Sequence, residues 1–166
     1  MPKPPNTQIE QVQLMMTWKS MLHHGHPLPK MDEVHFRVHS QGGEDGILLY
    51  IFSLIGTTNK VALEICAERG EQCNSTNLII NHGWEGYLFD GSEENVKSGL
   101  NFFRSCEDTK FWTPTFKQAW ITRDNINELV SSCHLSGEID LLSLDIDGND
   151  YWVYEALDVV QPRVFI

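Results

Sequence analysis

The chain has 166 residues, which is enough for one domain with a hydrophobic core. Hydrophobic residues make up 41% of it and charged residues 21%, so the composition is that of a globular protein. The net charge is −11 and the twelve Lys and Arg residues are scattered, which argues against binding to nucleic acid or to an anionic membrane surface.

Neither a membrane span nor a secretion signal is indicated. No stretch approaches the roughly 20 apolar residues that a spanning helix needs, and the N-terminal MPKPPNTQ lacks an apolar signal core. The four cysteines form no CxxC pair, so a zinc site is not expected. We expect a cytoplasmic protein with reduced thiols.

Residues 1–33 are predicted to form a tail, a helix and a linker before an α/β domain over 34–166. The tail, 1–6, is rich in proline, and the helix over 7–24 starts with a capping-box pattern of Thr7 and Glu10. Apolar residues at helical spacing are expected to face the core: Ile9, Val12, Met15, Met16 and Leu22.

After the linker, strand and helix patterns alternate. In chain order we predict an extended segment 34–40, a helix 44–55, a strand 61–65, a helix from Asn74 or Ser75 to near Gly83, a strand 86–90, a helix capped by Ser92, a strand 118–122, a helix capped by Asp124 or Asn125, a strand 139–146, a helix capped by Asn149 and broken by Pro162, and a strand from 163.

This alternation predicts a Rossmann-like, doubly wound parallel sheet of about five strands in a three-layer αβα arrangement. Ligands of such sheets bind at the carboxyl ends of the strands, where the strand order reverses. Four polar residues are predicted at these ends: Glu64, Asp90, Thr122 and Asp145. The acidic residue that ends the second strand suits the ribose of a nucleoside-containing cofactor.

Several motifs resemble those of class I S-adenosylmethionine-dependent methyltransferases, and most closely the FkbM-like group. They are SQGGEDG over 40–46, EICAERG over 64–70, GYLFDG over 86–91, and LLSLDIDGNDYWV over 141–153. The resemblance covers residues 38–166. It implies transfer of a methyl group from S-adenosylmethionine to a small-molecule hydroxyl, on a sugar or natural product.

The resemblance also implies roles for individual residues. The loop after the first strand would wrap the methionine half of the cofactor, Asp90 would bind the ribose, and residues 122–125 would flank the adenine. The implied cofactor-binding residues are Glu64, Cys66, Gly70, Asp90, Gly91, Thr122 and Asn125. Asp145 and His39 are the candidates for catalysis at the acceptor.

The chain departs from the family pattern at three points. Cys66 stands where the family has its first loop glycine, Glu68 and Arg69 stand where small or acidic residues are usual, and the sequence stops where the family continues for two further strands. A truncated, non-catalytic homologue is therefore an alternative. Either a homodimer through an exposed sheet edge or aggregation at that edge is also expected. An NAD-dependent oxidoreductase is a weak alternative, because the G-x-G-x-x-G fingerprint is absent.

Three further features remain open at the level of sequence. The cluster DIDGND, 145–150, suits either a divalent cation or a turn and helix cap, and we favour the latter, with no metal site. His23, His24 and His26 suit either a metal or the end of a helix dipole. His82 rivals His39 as a general base.

Overall fold

The computed structural model describes residues 7–166. Its helices and strands are α1 (Gln8–His23), α2 (Glu44–Ile55), β1 (Val61–Ile65), α3 (Thr76–His82), β2 (Glu85–Asp90), α4 (Glu93–Ser105), β3 (Thr115–Gln118), α5 (Ile126–Ser131), β4 (Gly137–Leu144), α6 (Asp150–Ala156) and β5 (Val160–Phe165). A short 3-10 turn covers Met31–Glu33. The tail predicted over residues 1–6 lies outside the described residues.

The five strands form one open parallel sheet in the order β3-β2-β1-β4-β5. The chain builds outward from β1 to β3, then returns to place β4 on the other side of β1. The strand order therefore reverses between β1 and β4. The Rossmann-like α/β fold that the sequence predicts is confirmed.

Alternating side chains of the strands supply two cores, one on each face of the sheet. On β4, Leu141 packs with α2, α3 and α4, whereas Leu142 packs with α5 and α6. Because both faces are covered, the strands read as nearly continuous apolar runs in the sequence.

The helix α1 forms where it is predicted, but of the five residues expected to face the core only Met15 is partly buried against it. Ile9 and Met16 are 72% and 66% exposed, whereas Gln11 and Trp18 are buried. The amide of Gln11 pairs with that of Asn77 in α3, and the Trp18 ring packs edge-on against Tyr50 of α2. Polar pairing thus orients this helix. The predicted capping box is also wrong, since no side chain caps α1.

The segment 34–40, predicted to be extended, contains no strand and is an irregular loop with bends at both ends. Oδ2 of Asp45 accepts the backbone N–H groups of Val38, His39 and Ser40 at 2.7, 2.6 and 2.8 Å. These donors serve a carboxylate, so they are not available to a sheet ladder. The segment becomes a loop that wraps the start of α2.

The third strand lies at 115–118 rather than at 118–122. The side chain of Asn125 accepts from the N–H of Thr122 and donates to the carbonyl of Trp120, both at 2.8 Å. These bonds turn the chain away from the sheet. Thr122 is consequently in the loop after β3 and not at a strand end.

Pro162 does not break the last helix, which ends at Ala156. It lies within β5, an edge strand paired only with β4 among residues 7–166. An edge strand leaves one row of N–H groups without sheet partners, so it accommodates a proline. Within the same residues, no helix combines the length and the apolar character that a membrane crossing requires.

Candidate functional site

A cleft of about 1170 Å³ opens at the carboxyl ends of the strands, beside the point where the strand order reverses. Five of the residues predicted for the site line it: Glu64, Cys66, Gly91, Thr122 and Asp145. The other four, His39, Gly70, Asp90 and Asn125, are not among its lining residues. Sequence reasoning thus located the cleft and part of its wall.

Glu64, near the end of β1, is buried and fully hydrogen-bonded. Oε1 accepts from the N–H of Asn74 at 2.9 Å and from Oγ of Ser143 at 3.2 Å. Oε2 accepts from the N–H of Ser75 at 2.8 Å and from its hydroxyl. Burial raises the pKa of Glu64, while these donors oppose the rise. The carboxylate ties the loop before α3 to the sheet.

The loop after β1 holds two side chains in backbone conformations that favour glycine. Cys66 has φ 61° and Glu68 has φ 45°, both in the left-handed region. Each of these residues therefore carries a Cβ in a backbone conformation that favours glycine.

The Cys66 thiol faces an acidic neighbourhood. Partial burial, followed by the charges of Asp90, Asp145, Asp147 and Asp150, raises the pKa of Cys66 to about 11. The group is therefore a neutral thiol near pH 7 and not a thiolate nucleophile.

Gly70 serves the packing of the same loop. It has φ +71°, and a Cβ at this position would lie 2.7 Å from Cε2 of Phe103 in α4. The glycine therefore lets the loop approach α4 closely.

Asp90 ends β2 with its carboxylate largely occupied. Oδ2 accepts from the N–H of Glu68 at 2.9 Å, and Oδ1 accepts from the N–H of Ser92 at 2.8 Å and from Nδ2 of Asn95 at 3.0 Å. A carboxylate offers about four acceptor positions, so about one is left for a ligand hydroxyl. The ribose role stays a prediction.

Asp145 follows β4 and is exposed in the cleft wall. The neighbouring Asp150 is engaged instead in a turn, because its carboxylate accepts from the N–H of Ile146 at 2.6 Å and of Gly148 at 3.0 Å. Among residues 7–166, no group of three or more His, Cys, Asp or Glu side chains is placed to hold a metal ion.

His39 lies on the loop that Asp45 organises. Its Nδ1 is 3.3 Å from the carbonyl of Glu71, and its ring packs edge-on to Phe102. Burial lowers the pKa of His39, and the charge of Asp45 opposes this. Gln41 and Glu44 of the same stretch line the cleft. His39 thus holds the cleft-forming loop in place, and its catalytic role stays a prediction.

His82, the rival base, lies elsewhere. Its Nε2 is 2.8 Å from Oε1 of Gln11, so it joins α3 to α1, and it is not among the lining residues. Burial, with a further contribution from Lys60, lowers the pKa of His82 to about 4.

The cleft is strongly acidic. Six carboxylate residues line it, compared with two arginines. The carboxylates are Glu44, Glu64, Glu68, Glu71, Asp145 and Asp147. One of the arginines, Arg123, is also within 3.7 Å of Glu155. A cleft in which one sign of charge predominates concentrates ligands of the opposite sign.

Two tryptophans of the cleft were missed as site residues by sequence reasoning. Trp120 and Trp152 line it and are 80% and 51% exposed. Trp120 lies in the run 118–122 that is predicted to be a strand, and Trp152 lies in the helix predicted after Asn149. The polar residues 122–125, which begin two positions after Trp120, were the available signal for an exposed turn.

Comparison of the chain with models of protein families, with curated proteins and with solved structures gives no significant match in any of the three.

Proposed function

We propose that this protein binds S-adenosylmethionine in the acidic cleft and transfers its methyl group to a hydroxyl of a small neutral acceptor, such as a sugar. The observation that carries the proposal is a predominantly acidic cleft at the reversal of strand order between β1 and β4. Open parallel sheets bind nucleoside cofactors at this position.

The charge of the cleft separates the two cofactor classes that suit the fold. S-Adenosylmethionine carries a sulfonium cation, which the carboxylates of the cleft wall would stabilise. NAD carries two phosphate charges, and an acidic wall repels them. The first loop also lacks the G-x-G-x-x-G pattern that lets a backbone approach a pyrophosphate.

At the acceptor side, the exposed carboxylate of Asp145 is the best-placed base. S-Adenosylmethionine supplies an electrophilic methyl group when bound. Asp145 would accept the proton of the acceptor hydroxyl, while the surrounding wall orients that hydroxyl. Positioning contributes much of the rate in such a displacement.

A second candidate function is a methyltransferase-like protein that binds the cofactor without turnover. The side chains of Cys66 and Glu68 in a loop of left-handed conformation favour it, because each adds a Cβ where close backbone approach needs space. The location of His39 outside the lining residues also favours it.

Transfer of a labelled methyl group to a panel of sugars and polyols tests the proposal. Asp145→Asn should lower turnover by about 10²- to 10⁴-fold, the usual contribution of a general base, with cofactor affinity little changed. Asp158→Asn, an exposed aspartate before β5 and outside the cleft lining, is the control. Binding without transfer to any acceptor would favour the non-catalytic function, and absence of cofactor binding would refute both.

A further inference from the structure

A second, smaller pocket lies at the opposite end of the sheet from the cleft. Its volume is about 430 Å³, which falls in the range of roughly 300–1,000 Å³ that small-molecule sites occupy. Lys60 directly precedes β1 and Glu85 opens β2, so the pocket lies at the amino ends of the strands. Among residues 7–166 it shares no lining residue with the cleft, and the length of β1, about 16 Å, separates the two.

The wall of this pocket includes a tryptophan that is exposed although its backbone is fixed. Trp112 is 78% exposed, and its N–H donates to the carbonyl of Thr109 at 3.1 Å. The buried hydroxyl of Thr109 in turn donates to the carbonyl of Phe103 in α4 at 2.6 Å. Within residues 7–166, no other ring stacks on this indole. An exposed indole gains free energy when an apolar surface covers it, and a fixed loop lowers the entropy cost of binding.

The floor of the pocket is apolar, whereas its rim carries charges of both signs. Trp84 and Ile79 are 5% and 3% exposed and form the floor. Three charged residues are exposed at the rim: Lys60, Glu85 and Asp108. An apolar surface with a few polar groups around it is the usual composition of a small-molecule site.

The charged groups of the rim keep hydrogen-bonding capacity for a ligand. Nζ of Lys60 donates to the carbonyl of His82 at 3.2 Å, which uses one of its three hydrogens. Oε1 of Glu85 accepts from the hydroxyl of Tyr87 at 2.6 Å, so Oε2 is left for a ligand. The carboxylate of Asp108 is exposed and accepts as well. The rim therefore offers both donors and acceptors.

We propose that this pocket binds a neutral saccharide, with one sugar ring packed on the indole of Trp112. Sugar hydroxyls both donate and accept, which matches an ammonium group beside two carboxylates. The C–H groups of a sugar ring pack on the negatively polarised face of an aromatic ring. Glu85 and Asp108 repel an anion and Lys60 repels a cation, so the rim favours an uncharged ligand. This site is independent of the proposed methyl transfer.

Titration followed by two-dimensional NMR of the backbone amides tests the proposal. The N–H signals of Gly83 and Glu85 report on the pocket in every variant, because both residues line it. The probes are glucose, galactose, mannose and N-acetylglucosamine, together with maltotetraose, cellotetraose and chitotetraose. At least one saccharide should shift these signals. A response to a monosaccharide indicates a free sugar, and a response to tetrasaccharides alone indicates a glycan chain.

Two variants separate stacking from a general effect on the surface. Trp112→Ala should weaken saccharide binding by about tenfold or more, because the stacked ring supplies most of the apolar contact. Phe111→Ala removes the neighbouring ring, which is 88% exposed but outside the pocket lining, and should leave the affinity unchanged. Asp145→Asn, which alters the cleft, should not change these shifts, so this proposal and the proposed function can fail separately.

Three results would overturn the proposal. One is that no saccharide shifts the signals of Gly83 and Glu85, even at its highest soluble concentration. Another is that Trp112→Ala binds the saccharide as tightly as the wild type does. The third is that arginine or citrate, used as a cationic and an anionic probe, binds this pocket more tightly than every saccharide.

Discussion

Replacing Cys66 and Glu68 by glycine should stabilise the protein. Both residues have left-handed backbone angles, φ 61° and φ 45°. A non-glycine residue in this region carries a cost of about 1–2 kcal/mol. Glycine removes that cost. It also raises the conformational entropy of the unfolded chain, which lowers the free energy of unfolding by about 0.4–1 kcal/mol.

The net gain expected is about 0.5–1 kcal/mol for each substitution. Because the two positions share one loop, the gains need not add fully in the double variant. For a domain of this size, 1 kcal/mol raises the melting temperature by about 2–4 °C. The free energy of unfolding, measured in urea at pH 7, gives the direct comparison.

Alanine variants at the same positions are the matched controls. Cys66→Ala and Glu68→Ala remove the thiol and the carboxylate but keep the Cβ, so they should show no such gain. The double glycine variant should also bind S-adenosylhomocysteine more tightly than the wild type, because its loop backbone is unobstructed. If the glycine variants are less stable than the alanine variants, the left-handed conformation of this loop is wrong.

Three other predictions concern the fold. Asp140 is buried and accepts hydrogen bonds from the N–H groups of residues 58–60 and, at 2.6 Å, from Arg163. Asp140→Ala should therefore lower the free energy of unfolding, measured in urea, by about 3–5 kcal/mol. A loss below about 1 kcal/mol would contradict a structural role for the ion pair. The pKa of His82 is lowered to about 4, below the unfolded value of about 6.5, so the unfolded state binds more protons between these values and the free energy of unfolding should fall as the pH drops from about 6.5 to about 4. His82→Gln should flatten this pH profile, whereas an unchanged slope would show that other groups cause it. The homodimer stays a prediction: Phe165 of the edge strand β5 is partly exposed, so Phe165→Lys should shift sedimentation toward the monomer, and a monomeric wild type would contradict the dimer.

The strands near the middle of the sheet were the most predictable part of the fold. β1 and β4 are largely buried, and their short apolar runs, bounded by turn residues, are typical of central strands in a parallel sheet. Their polar ends, Glu64 and Asp145, were therefore placed correctly at the cleft. The helix cap at Ser92 is also confirmed, since its side chain accepts from the N–H of Asn95.

The wrong predictions have two physical causes. One is hydrogen bonding between polar side chains that are distant in the chain, and the other is hydrogen bonding of side chains to the backbone. Gln11 is buried because Asn77, 66 positions later, matches its amide, and periodicity cannot reveal such a pair. The apolar run around Trp120 resembles a strand until the bonds from Asn125 are known. The link from Asp140 to Arg163 was missed for the same reason.

Binding of S-adenosylmethionine, compared with S-adenosylhomocysteine and NAD in one calorimetric series, tests the central claim most directly. The acidic cleft predicts that the sulfonium compound binds at least as tightly as its neutral thioether product, that added salt weakens its binding, and that NAD does not bind. The proposed function would be contradicted if NAD bound, or if neither S-adenosylmethionine nor S-adenosylhomocysteine bound.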